Sequence, residues 1–110
     1  MNLEGARRIV RRALADQDID AIVDGYLVDA GASVALSFIE ALQRAFEQLA
    51  RQPGMGSPRY AQELGLPGLR SWPLRRFPHI VFYFEAPDAI EIWRVLHSRR
   101  DIPVHLQEPQ

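Results

Sequence analysis

The chain has no cysteine and no lysine, and only three histidines. Without thiols it can form no disulfide framework, no thiolate metal site and no cysteine nucleophile. His79, His97 and His105 match no familiar zinc spacing, so neither a metal nor a cofactor is expected. No apolar run approaches the ~18 to 20 residues that a membrane-spanning helix needs. The charged N-terminus shows no signal-peptide pattern either, so a cytoplasmic protein without a membrane partner is expected. Internal repeats and low-complexity tracts are also missing. The formal net charge is only −1, which removes long-range steering toward nucleic acid and leaves local patches to carry any such contact.

What remains is an ordinary globular composition, 47% hydrophobic and 25% charged over 110 residues, read as one domain spanning 1–110. All 13 basic residues are arginine, each a planar, always-charged fork suited to carboxylates or phosphates. Charge is segregated near the start: Arg7, Arg8, Arg11 and Arg12 precede Asp16, Asp18, Asp20, Asp24 and Asp29. The simplest reading is a solvated helix face whose early acids complement the helix dipole.

The organising stretch is Leu69 to Asp101, which holds nearly all the strand-like sequence. Strands are predicted at about Leu69–Leu74, His79–Glu85 and Ala89–His97, separated by turns bearing Pro78 and Pro87. In the second, Ile80, Phe82 and Phe84 oppose Val81 and Tyr83, the two-sided pattern of a central strand. In the third, strict alternation groups Ile90, Ile92, Arg94 and Leu96 against Glu91, Trp93, Val95 and His97. Alternation does not say which face meets the helices.

Ahead of it, a short strand is predicted around Ile9 and Val10, flanked by arginines that discourage edge aggregation. A helix follows from about Asp16 to Ala30, with Ile19, Ile22, Val23, Tyr26 and Ala30 on one face and Gly31 as its stop. A second, about Ala32 to Gln52, aligns Ala35, Phe38, Leu42, Ala45 and Leu49, and Pro53-Gly54 ends it. So short a connection makes the pair an antiparallel hairpin whose apolar faces must cover the sheet. Pro53 to Gly68 reads as a loop, rich in proline and glycine. A last helical turn is predicted at Ile102–Leu106. The fold class is therefore α+β: a helical hairpin packed on a small antiparallel β-sheet, joined by the N-terminal strand.

This order, with DIDAIVDGYLVDAG in the first helix, LPGLRSWPLRRFPHIVFYF across the loop and first strands, and IEIWRVLHSRRDI at the end, resembles the RelE/ParE superfamily of bacterial type II toxin–antitoxin toxins. The resemblance covers about residues 7 to 103. Its most specific parts are Phe77-Pro78-His79-Ile80-Val81-Phe82-Tyr83 and the closing Arg94 to Asp101.

The resemblance implies a toxin, a cognate antitoxin as partner, and one of two activities that the fold alone does not choose between. RelE-like members cut messenger RNA on the ribosome; ParE-like members bind DNA gyrase and block it. Metal-free RNA cleavage needs a base, cations for the phosphate and a proton donor. His97, Arg94 and Arg99 are the candidates for that catalytic alternative. Against it, Ile80 stands where RelE carries a basic residue, and the C-terminal tyrosine of RelE-like toxins is missing, with His105 the nearest ionisable group. The closing RVLHSRRD looks like the ParE branch, so gyrase inhibition by binding is the preferred expectation.

Target-contact candidates are then Arg75, Arg76, Arg99, Arg100 and Asp101. Candidate antitoxin contacts are Tyr26, Phe38, Trp72 and Trp93, and DNA would be reached only through the antitoxin. Several have a plainer reading: the tryptophans as core, His97 as a strand-end hydrogen-bonding group, Arg100 and Asp101 as a salt bridge or cap, and the turn arginines Arg75 and Arg76 as solvated.

Overall fold

A computed structural model describes residues 6–100 together with 102 and 106. The chain opens with strand β1 (Arg8–Arg11), followed by helices α1 (Ala13–Asp29) and α2 (Ala32–Arg51). A single 3-10 turn (Pro53–Met55) and a short helix α3 (Arg59–Leu64) lead into β2 (Leu69–Pro73), β3 (His79–Glu85) and β4 (Ala89–His97). The stretch predicted as a featureless loop therefore contains two helical pieces. Its Pro53 and Pro58 sit at helix starts, where a missing N–H costs nothing, and Gly65 closes α3 in the left-handed conformation.

The helical hairpin follows the predicted faces except at Ala30, which is exposed just past the end of α1. α2 buries Ala35, Phe38, Leu42, Ala45, Leu49 and Ala50, while α1 buries only Ala15 and Ile19 fully. Gly31, at φ 97°, makes the tight reversal between them that a side chain would resist. Gly25 in α1 has open space around it, so no close packing demands a glycine there.

The sheet runs in the order β1-β4-β3-β2. The β2–β3 and β3–β4 pairs are antiparallel, but β1 lies parallel to β4, so the sheet is mixed. The two helices supply the long crossover that a parallel pair requires. One face meets the hairpin through Val81, Tyr83, Ile90, Ile92 and Val95. The other carries a second cluster of Leu69, Phe82, Trp93 and Leu96, closed by Ile102 and Leu106 and flanked by Tyr60, Ala61 and Leu64 of α3.

Strict alternation along β4 fails at one place. Phe82 pairs with Arg94 but Tyr83 pairs with Ile92, so Trp93 is an extra residue in the ladder. A bulge of this kind shifts the phase by one. Val95 thereby joins Ile90 and Ile92 under the helices, and Leu96 joins Trp93 on the opposite face.

Candidate functional site: the open end of the sheet

β1 ends at Arg11, whereas β4 continues to His97. Among the described residues the outer edge of β4 past Ile92 therefore has no strand neighbour, and α1 fills the position with Asp18. Its carboxylate accepts two hydrogen bonds from Arg94, at 2.8 and 2.9 Å, and one from the Val95 backbone N–H at 3.0 Å. Arg94 is 7% exposed. The pair is a geometrically matched, two-pronged contact in which a buried charge is satisfied rather than left bare.

At the tip of β4 the chain turns sharply. Ser98 N–H donates to the Pro78 carbonyl at 2.7 Å, and Arg100 N–H to the His97 carbonyl at 3.0 Å. His97 Nδ1 accepts the Arg99 backbone N–H at 3.0 Å, which places the proton of the neutral ring on Nε2. Asp18, Ile22, His79, His97, Arg99 and Arg100 border a cleft of about 450 Å³ between α1 and this tip.

His79 lies opposite His97 in the ladder, with ring centroids 5.4 Å apart. It also packs edge-on against Phe38 at 5.2 Å and Tyr26 at 6.1 Å. Burial, reinforced by His97, pushes its pKa down to about 4, and its Nδ1 has no hydrogen-bond partner. The ring is thus neutral at neutral pH. Phe77 completes the aromatic group, 5.7 Å from Tyr26 and 5.5 Å from Phe38.

This aromatic group stands between two depressions at the same end of the sheet. One is the His97 cleft. The other, about 350 Å³, lies between α2 and the β2–β3 turn and is bordered by Arg44, Trp72, Arg75 and Arg76. The expected target-contact arginines therefore divide: Arg99 and Arg100 in the first, Arg75 and Arg76 in the second. Asp101 and His105 lie outside the described residues.

Several sequence expectations change. Arg94 does not face the cleft as a free cation, because Asp18 holds it. Phe38 is fully buried, since the apolar stripe of α2 is consumed by the core, and Trp93 is 6% exposed under the second cluster. Both are closed off from solvent, whereas Tyr26 and Trp72 are half-buried. Asp18, His79 and Arg44 were not singled out as site residues. Asp18 had a signal only as one of five helix acids, and His79 only as a member of the Phe-Pro-His segment.

Among the described residues no three metal-ligating side chains gather, and no helix is long and apolar enough to cross a membrane. Residues 9–102 match the family described as the ParE toxin of the type II toxin–antitoxin system parDE. The chain belongs to the ParE toxin family. A solved chain of the chromosomal ParDE TA system of P. aeruginosa shares the fold, with a TM-score of 0.71 and 25% identity over 86% of this chain and 98% of that one. No curated protein sequence matches. As a ParE-family chain it is the toxin half of a pair, and an antitoxin is its implied partner.

The remaining polar contacts brace this end and its surroundings. Tyr83, fully buried, donates its hydroxyl proton to the Pro53 carbonyl at 2.6 Å and accepts the Gly56 N–H at 3.0 Å. Burial pushes its pKa up. Arg70 adds hydrogen bonds to the Gly54 and Gly56 carbonyls, so the segment after α2 is tied to the sheet.

Proposed function

We propose that this ParE-family toxin arrests growth in the cytoplasm by binding DNA gyrase, without cleaving RNA, and that its antitoxin neutralises it by covering the open end of the sheet and the helical hairpin. The observation that carries the reading is the Asp18–Arg94 pair. An arginine buried at 7% and gripped by a carboxylate serves the fold, and cannot neutralise a scissile phosphate without breaking that pair. The neutral, enclosed His79 likewise supplies no cation. Support for a covering partner comes from the hairpin tip, where Leu27, Val28 and Leu36 are 49%, 84% and 57% exposed.

Induced cells are expected to filament with broken chromosomes while translation continues, and co-expression of the antitoxin should restore growth. A prompt stop in translation, with messenger cuts that require ribosomes, would overturn the gyrase assignment.

One observation favours the endoribonuclease reading. His97 presents Nε2–H at a cleft that also holds Arg99 and Arg100, the parts of a proton donor and a phosphate site. His97→Ala decides between them. Under the binding reading toxicity persists; under the catalytic reading it vanishes while antitoxin binding and folding remain.

A further inference from the structure

The crease between α1 and α2 is a further apolar groove, lined by these two helices and by Arg11. It encloses about 540 Å³, with Ile19 and Leu42 buried at its floor and Val23, Ile39 and Phe46 half-buried along its walls. Helical spacing carries both flanks on to the hairpin tip: Leu27 lies four residues beyond Val23, and Leu36 three before Ile39. These two leucines are 49% and 57% exposed. From Leu36 to Phe46 the groove runs about 15 Å at the rise of an α-helix, the length of roughly ten helical residues.

The rim of this groove is acidic. α1 carries five aspartates and no basic residue over its whole length. Asp16 meets Arg11, the one cation at the rim, and Asp18 is held by Arg94. Among the described residues the side chains of Asp20, Asp24 and Asp29 have no ion pair or hydrogen bond. Asp20 and Asp24 border the groove one helical turn apart, where like charges repel. Asp29 ends the helix at the negative pole of its dipole, where a cation would be favoured and the last turn holds none. Nothing inside the chain offsets these placements, and cations brought from outside relieve them.

The same features sort the occupants. Nucleic acid and an anionic membrane surface are repelled by the rim. A second copy would set one acidic groove against another across a two-fold axis. Both walls are helices, so no backbone edge opens into the groove for strand addition, and an entering segment binds by its side chains. A helix with apolar residues on one face and arginine or lysine beside them fits both the floor and the rim.

We propose that this groove docks a cationic amphipathic helix of the protein that the toxin acts on. The chemistry of the helix rests on the groove itself. Its owner rests on the toxin reading: an antitoxin that neutralises by covering the hairpin hides a surface that the target needs.

The test titrates the full chain with three fluorescein-labelled synthetic peptides: one with leucine and arginine at helical spacing, one with glutamate in place of arginine, and one with the first peptide's residues scrambled to break the apolar face. Saturable binding of the first is expected, weakened about tenfold or more by Asp20→Asn with Asp24→Asn, by Leu27→Gln with Leu36→Gln, and by added salt. Glu63→Gln with Asp88→Asn, the same charge change away from the groove, should leave it unchanged. The thermal midpoint of Asp20→Asn with Asp24→Asn should hold or rise, since no partner inside the chain is lost. Equal binding of the scrambled or acidic peptide, indifference to the groove substitutions, or a lowered midpoint would overturn the groove's chemistry. So would a free chain that sediments as a dimer and is split by Leu27→Gln with Leu36→Gln, which gives the groove to a second copy.

In cells, Asp20→Asn with Asp24→Asn should stop growth poorly while the variant still co-purifies with the antitoxin. Full growth arrest by that variant would overturn the assignment to the target, whether or not the antitoxin still relieves it. A wild-type chain that never stops growth would sink the toxin reading, leaving the peptide titration to decide the groove.

Discussion

Asp18 and Arg94 lie 76 positions apart and meet in a two-pronged ion pair, with N–O distances of 2.8 and 2.9 Å. Because Asp18 also accepts the Val95 N–H, it substitutes for the strand that β4 lacks beyond Ile92. The contact ties the first helix to the last strand at the end where both depressions open.

Asp18→Ala should therefore be severe. It takes the carboxylate from a buried guanidinium and leaves the Val95 N–H without its acceptor, which together cost about 3–5 kcal/mol. Urea unfolding followed by circular dichroism measures this. Replacing both partners, Asp18→Leu with Arg94→Met, should cost less than Asp18→Ala alone, since the guanidinium is no longer buried without the Asp18 carboxylate. Equal or additive losses would show that the pair is not coupled as described.

Acid should weaken the fold through His79. An unfolded histidine takes up its proton near pH 6.5, but the folded ring does so only near pH 4. Between these values the unfolded chain binds more protons, so stability falls as pH drops, by up to about 3 kcal/mol. His97 in the ladder and Tyr26 from α1 are the titratable groups facing the ring. His79→Phe should flatten the pH dependence between pH 6.5 and 4. Parallel losses in variant and parent would remove His79 as the cause.

Tyr83 should matter beyond its ring. Tyr83→Phe leaves the Gly56 N–H without its partner inside the protein, for about 1–3 kcal/mol. Gly56→Ala should destabilise as well, because a Cβ there would overlap the Tyr83 hydroxyl and ring. Thermal unfolding of both variants checks this, and an unshifted midpoint for Tyr83→Phe would contradict the hydrogen-bond account.

Much of this architecture was legible in the sequence because α2 and the strands carry strong apolar periods. The stripe from Ala35 to Leu49 and the three strand spans fall where the pattern put them. α3 was hidden because one short turn of helix, Arg59 to Leu64, is outweighed by the prolines and glycines around it. The bulge at Trp93 was hidden for another reason: alternation assumes one residue per rung, and the shift is decided by the partner strand. Parallel pairing of β1 with β4 depends on the crossover and not on the four residues of β1.

The site was less legible than the fold. Arg94 looked available because nothing local announces that Asp18 will reach it across 76 residues. Phe38 looked like a partner contact because an apolar stripe reads alike whether a core or a ligand covers it. His79 became enclosed only when Tyr26, Phe38 and Phe77 converged from three elements. The clustering of Arg44 with Arg75 and Arg76 likewise needed α2 and the β2–β3 turn to be brought together.

A purified reaction separates the proposed binding of gyrase from cleavage of messenger. The toxin is added to gyrase, relaxed plasmid and ATP, and separately to translating ribosomes with a labelled messenger. Lost supercoiling is expected, with accumulation of gyrase-linked, cleaved plasmid and an intact messenger. Messenger cut on the ribosome, with supercoiling untouched, would contradict it.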